Sequence, residues 1–153
     1  MYRLDLKVPP PAVVLVCAAV MWLLAERFPA FTFELPGRTF VCGAFALAGI
    51  FFDVSGFLAF RRMRTTINPL TPHNTSAIVS HAIYRHTRNP MYVGQLLILA
   101  AWAVWLCNWL AFPLLPVFVG YLTRFQIIPE ERVLAAKFGD AYAEYRQRVP
   151  RWF

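Results

Sequence analysis

An all-α membrane protein is predicted by three features of the sequence. The chain is 59% hydrophobic and only 15% charged, whereas a soluble domain usually carries about 25% charged residues. Its mean hydropathy is +0.50. Its apolar residues fall in long uncharged runs of the length that crosses a bilayer. The 153 residues make one compact membrane domain, with no internal repeat and no low-complexity segment.

The elements follow in order. A first span is expected at residues 11–28 and a second at 40–60, each apolar enough to cross a hydrocarbon core of roughly 30 Å. We expect no cleavable signal peptide, because the first run is long and no small-residue cleavage site follows it. Residues 61–89 form a polar loop with Arg61, Arg62, Arg64, Arg85 and Arg88. From 90 to 125 the chain is apolar again, too long for one helix, and Asn108, Pro113 and Pro116 interrupt it. This reads as a helical hairpin with arms at 90–108 and 111–125, the second arm short. A separate C-terminal helix then starts with Pro129 at its first position and Glu130 and Glu131 in its first turn. Leu134, Phe138, Tyr142, Tyr145 and Val149 give that helix one apolar-aromatic face, to lie on the membrane surface or pack against the bundle. Gly139 weakens its middle. The total is about four transmembrane helices, including the hairpin, plus a cytoplasmic amphipathic C-terminal helix.

The net charge of +7 would suggest nucleic acid in a soluble protein. Here the cations cluster beside apolar spans, so lipid headgroups and topology account for them, and no nucleic-acid partner is expected. Thirteen of the fifteen cations are arginine, the residue suited to bidentate pairing with carboxylates and phosphates. The 61–89 loop and the tail, with Arg124, Arg132, Lys137, Arg146, Arg148 and Arg151, are the basic segments. Arg27 and Arg38 are offset by Glu26 and Glu34. Both termini and the 61–89 loop are therefore expected on the cytoplasmic side, where the glycosylation-like Asn74–Ser76 would be without meaning. Cys17, Cys42 and Cys107 lie in apolar runs without metal-ligand spacing and read as small buried hydrophobes. His73, His81 and His86 read as solvated loop residues, although His86 could line a site. There is no Gly-rich phosphate loop, no serine nucleophile elbow and no zinc spacing, and no metal is expected.

Three places carry candidate chemistry. In "YRHTRNPMYVG", residues 84–94, Asn89 and Pro90 form a strong helix start: Asn89 caps and Pro90 supplies a helical φ. The same atoms also make an anion site, since free N–H groups at a helix start stand beside Arg88. Glu130 and Glu131 are ordinary helix-start acids on local grounds. The hairpin, however, must return them beside Arg88 and Asn89, and an anion-binding group next to paired acids suits a zwitterionic cofactor with a positive centre. Asp53 is the third feature. It lies in the second span about eight residues from Arg61, roughly 12 Å deep at the helical rise, and reads either as a substrate-pocket residue or as an interhelix contact.

"IVSHAIYRHTRNPMYVG" followed, after the hairpin, by "PEERVLAAKFGDAYAEYRQRVPRW" resembles the integral membrane methyltransferases, which include isoprenylcysteine carboxyl methyltransferases and phospholipid N-methyltransferases. The similarity covers roughly residues 61–153 and rests on two blocks in order: Arg-(His/Asn)-Pro-x-Tyr, then Glu-Glu-x-x-Leu with Phe-Gly and Tyr-x-x-Tyr behind it. "RTTINP", residues 64–69, also resembles the loop before the core of bacterial members. The resemblance divides the chain into two N-terminal spans, 1–60, and a methyltransferase-like core, 61–153. It implies S-adenosylmethionine as cofactor, held on the cytoplasmic side of what would be a bacterial inner membrane. By position, Tyr84, Arg88, Asn89, Pro90 and Tyr92 match the first block, and Glu130, Glu131, Tyr142 and Tyr145 the second. The eukaryotic carboxyl methyltransferases differ in having His at the position of Asn89, another His about where Ser76 falls, and Gly where Ala82 falls. These departures point away from prenylcysteine as the acceptor.

What the resemblance implies is methyl transfer to a lipophilic small molecule or lipid, with no obligate protein partner. Arg88 and the helix start at Asn89 would hold the cofactor's carboxylate. Glu130 and Glu131 would hold its ammonium or ribose hydroxyls. Tyr84, Tyr92 and Tyr145 would pack around adenine or the sulfonium. Arg88, Glu131 and Asp53 form the expected catalytic set, with Asp53 or His86 assisting an amine acceptor. Two competing readings are an NADPH-dependent membrane reductase of the sterol-reductase type, normally a much longer chain, and a non-catalytic membrane protein that kept the fold.

Overall fold

A computed structural model describes residues 5–62 and 78–153. Arg64, His73, Asn74, Ser76 and the 64–69 motif lie outside the described residues. Helix α1 (Pro10–Arg27) and helix α2 (Arg38–Arg62) lie close to the expected spans. Helix α3 (Pro90–Leu106) starts at the predicted proline. Helix α4 (Leu114–Leu122), a π-helical turn (Thr123–Ile127), helix α5 (Ile128–Phe138) and helix α6 (Asp140–Arg148) complete the chain. Three helical stretches are long and apolar enough to cross a membrane: Pro10–Arg27, Arg38–Arg62 and Trp109–Phe138. The shorter apolar α3 stands among them, and its 17 residues span roughly 26 Å. Outward-facing Leu15, Phe40, Leu47 and Phe51 are exposed, as lipid-facing side chains of spanning helices are.

The hairpin forms where the breakers predicted it. Its second arm, however, is not short, and no separate helix begins at Pro129. The backbone stays helical from α4 through the π turn into α5, and Ile127 at the junction keeps helical φ and ψ. Pro129 has no N–H, and its ring crowds the carbonyl four residues back. The π turn, in which the Ile128 N–H reaches Thr123 O, widens the helix just ahead of the proline and lets it pass. The predicted single C-terminal helix is instead two helices. Gly139, at φ +52°, separates α5 from α6, and their apolar face closes on itself and on Ile78.

α3 is the central helix. On one side it packs antiparallel to α2 through small residues, as membrane helices do when their backbones approach closely. A Cβ on Gly49 would stand 2.8 Å from Gly94 O, and one on Gly94 would stand 2.7 Å from both Gly49 O and the Asp53 carboxyl. On its other side Tyr92, Leu99 and Ala103 meet Val13, Cys17 and Met21 of α1 and Phe118 and Leu122 of α4 in the main core. Trp102 Nε1 donates to Ala18 O at 3.1 Å and ties α1 to this layer.

Candidate functional site

The polar end of α3 is built from three chain segments. The first is residues 81–89. A 3-10 turn over Ala82–Arg85 buries Tyr84, whose ring meets Phe60 edge-on. Ala82 sits at φ +53°, a left-handed conformation that glycine adopts more readily. The expected side-chain cap at Asn89 is not formed. Its Nδ2 donates instead to Arg151 O at 2.9 Å, and Thr87 Oγ1 accepts the Asn89 N–H at 3.2 Å. The asparagine is drawn away because the C-terminal tail presents a carbonyl beside it. Pro90, fully buried, opens the helix as predicted.

The second segment is the return of the hairpin. The π turn and α5 bring Glu130 and Glu131 beside α3. Tyr92 Oη donates to Glu130 Oε2 at 3.4 Å, and Gln126 also reaches the Tyr92 hydroxyl. Arg88 Nη1 lies 2.9 Å from Glu131 Oε1, both side chains being about nine-tenths buried.

The third segment is the tail, which sequence reasoning counted only as basic. Arg151 grips Glu131 with both prongs, Nε to Oε1 at 2.9 Å and Nη2 to Oε2 at 2.8 Å. Its carbonyl accepts from Asn89 Nδ2 and, at 3.2 Å, from Thr87 Oγ1. Pro150 O accepts the Arg88 N–H at 3.0 Å. Trp152 Nε1 donates to Thr123 Oγ1 at 3.1 Å, and Phe153 meets Phe52 of α2 edge-on. Arg151 and the fully buried Thr87 are the residues that sequence reasoning missed. Each acts through partners far along the chain, so no local spacing marks it.

The structure thus gathers Tyr84, Arg88, Asn89, Pro90, Tyr92, Glu130, Glu131 and Tyr145 around one end of the bundle. Tyr145 Oη donates to Tyr84 O at 2.9 Å and pins α6 to the 3-10 turn. Asp53 stands elsewhere. It lies on the α2–α3 seam against Gly94. Gly94 follows Tyr92 by two residues, roughly 200° around the helix, so Asp53 is on the face of α3 turned from Tyr92. His86 is exposed.

Arg88 and Arg151 share Glu131, so that trio carries a net positive charge beside the Glu130 carboxyl. Burial raises the Tyr142 phenol to about 12, helped by the Glu131 charge and opposed by the charge and the hydrogen bond of Arg88. Tyr84 and Tyr145 are pushed up in the same way, first by burial, so all three phenols stay neutral. Hydrogen bonding to Glu131 raises Arg151. The contact between Arg88 and Glu131 is close but poorly aligned. Arg88 Nε and Nη1 are buried and have no hydrogen-bond partner among the described residues. Buried donors left unused are costly, so the arrangement is suited to receive an anion at Arg88, with the half-buried Glu130 available to a cation nearby.

The phospholipid methyltransferase family is matched by residues 38–141, more than half of the chain. That match includes α2, the Arg88–Asn89 block, the hairpin and Glu130–Glu131, and it ends before Tyr142, Tyr145 and Arg151. A protein of Haemophilus influenzae described as uncharacterized is 48% identical over 62 residues, covering 40% of this chain and 98% of the relative. No solved structure matches. The chain belongs to the phospholipid methyltransferase family.

Proposed function

We propose that the protein transfers a methyl group from S-adenosylmethionine to a lipid or small lipophilic acceptor at the cytoplasmic face of the membrane. One observation carries the reading: the hairpin brings Arg88 and Glu131 within 2.9 Å and Tyr92 and Glu130 within 3.4 Å, although these pairs lie some forty residues apart in sequence. The residues fit the cofactor's amino-acid end. Unused Arg88 donors suit its carboxylate, and Glu130 suits its ammonium or a ribose hydroxyl. S-adenosylmethionine, when bound, supplies the electrophilic methyl group, and the protein's task is to orient it and exclude water.

Each residue has a distinct part in this reading. Arg88 binds the carboxylate. Glu131, already held by Arg151 and Arg88, keeps both arginines in place. Asn89 and Pro90 fix the start of α3 beneath the site. The tyrosines Tyr84, Tyr92 and Tyr145 remain neutral or hydrogen-bonded and offer aromatic surface for adenine or the sulfonium. The acceptor reaches the site sideways from the bilayer, and Asp53, on the α2–α3 seam, belongs to the acceptor's side rather than the cofactor's. Both termini and the polar end of α3 face the cytoplasm, where the basic loop and tail meet anionic headgroups.

The test is to incubate membranes containing the protein with methyl-labelled S-adenosylmethionine and extract the lipids. Label should appear in a lipid or lipophilic metabolite with the wild-type chain and not with Arg88→Ala. Loss of a charge-assisted contact of this kind lowers cofactor affinity by about tenfold or more. Equal labelling by both chains, or none by either, would remove the assignment.

A further inference from the structure

We infer that Arg151, ten residues beyond the end of the family match at 141, is a positioning residue that keeps Arg88 available to an anionic ligand by occupying Glu131. The inference rests on the cofactor reading above and adds to it the residue that sets the charge of the site.

Glu131 offers one carboxylate to two guanidiniums, and it is shared unequally. Arg151 takes both oxygens in aligned hydrogen bonds, at 2.9 and 2.8 Å. Arg88 touches Oε1 at 2.9 Å through Nη1 without hydrogen-bond geometry, and its Nε and Nη1 stay unpartnered among the described residues. Arg151 therefore holds the aligned bonds, while Arg88, hydrogen-bonded to Tyr142, keeps its charge and two donors, Nε and Nη1, without hydrogen bonds. Arg151 is also the more accessible of the two, with 32% of its side chain exposed against 10% for Arg88. Solvent can complete the hydration of Arg151 but hardly that of Arg88.

The tail's backbone fixes this division. The Arg151 carbonyl is bound by Asn89 and Thr87, Pro150 O holds the Arg88 N–H, and Trp152 is bound to Thr123. Arg151 is thus anchored both to the segment carrying Arg88 and to the helix that leads to Glu131. Without the Arg151 side chain, Glu131 would have Arg88 as its sole guanidinium partner in the cluster. The pair would turn into alignment, the free donors would be consumed, and a ligand's carboxylate would meet a neutral pair.

The experiment is calorimetry on the purified full chain with two ligands, S-adenosylmethionine and its decarboxylated analogue, with thermal melting as a control on folding. The wild-type protein should prefer the carboxylated ligand by about tenfold or more. Arg151→Ala, or Arg151→Gln where alanine impairs folding, should erase most of that preference. Adding Glu131→Gln to either variant should restore it, because Arg88 is then no longer neutralised. A preference that persists in both Arg151 variants overturns the inference. So does an equal loss of both ligands, the mark of mere scaffolding, or a failure of Glu131→Gln to restore the preference. Wild-type protein that binds both ligands equally also overturns it. Wild-type protein that binds neither ligand overturns the cofactor reading itself, and this inference with it.

Discussion

Each end of α3 carries an asparagine, and the two are used in opposite ways. Asn108, fully buried at the apolar end, accepts the Leu110 N–H and donates to Phe28 O, both at 3.0 Å. Beside it the Phe33 N–H meets Cys107 O at 2.8 Å, so the α1–α2 connection is tied to the hairpin turn. Among the described residues, no side-chain atom of that turn is buried without a partner. Asn89, at the polar end, leaves its own helix uncapped and reaches to Arg151 O. Next to it Arg88 keeps two buried donors without hydrogen bonds. An end that only holds the fold together satisfies its polar groups. On the reading proposed above, the polar end keeps some of them open for a ligand.

Substitutions can break or sharpen this contrast. The largest effect is expected at the polar end. Glu131→Ala leaves two buried or half-buried guanidiniums facing each other, and it should lower stability by about 3–5 kcal/mol, read as a fall in melting temperature in detergent. A fall no larger than that of an average surface change would show that the cluster is not held by this carboxylate. At the apolar end, Asn108→Ala strands the Phe28 carbonyl and the Leu110 N–H, and about 2 kcal/mol of stability should be lost. Its cofactor affinity should stay within about twofold of wild type, since distant sites act independently. A matching loss of affinity would mean that the two ends are one unit. The smallest effect is expected at Ala82, at φ +53°. Ala82→Gly relieves the left-handed strain but loosens the unfolded chain, for a net gain of about 0.5 kcal/mol. A lower melting temperature in that variant would show that the turn is not strained.

The bundle was largely legible in the sequence because bilayer helices announce themselves by length and composition. α1 and α2 lie close to the expected spans, and Asn108 and Pro113 stand in the hairpin turn, whereas Pro116 sits in the first turn of α4 rather than breaking the chain. The same logic failed at Pro129, where a residue that opens helices sits instead inside one, because a π turn removes the clash that normally ends the helix. Gly139 is a weak point of helix propensity, and its positive φ makes it a break. The grouping of Arg88 with Glu130 and Glu131 followed from the hairpin alone. The grip of Arg151 on Glu131, twenty residues back, did not, since a non-local ion pair leaves no periodicity to read. The capping expectation at Asn89 failed for the same reason, because its partner is a carbonyl sixty-two residues away.

The π turn before Pro129 also sets the phase of the site. An added residue in one turn offsets every later side chain by about 100° relative to an unbroken α-helix. Upstream of it Phe118 and Leu122 point into the core, and downstream Glu131 is buried against the arginines. Closing that turn into regular α-helix, with no residue removed, would leave the span nearly as long and as greasy as before. It would also swing Glu130 and Glu131 out of register with Tyr92 and Arg88. The helix would still cross the membrane, but with its acids turned to the wrong compass point.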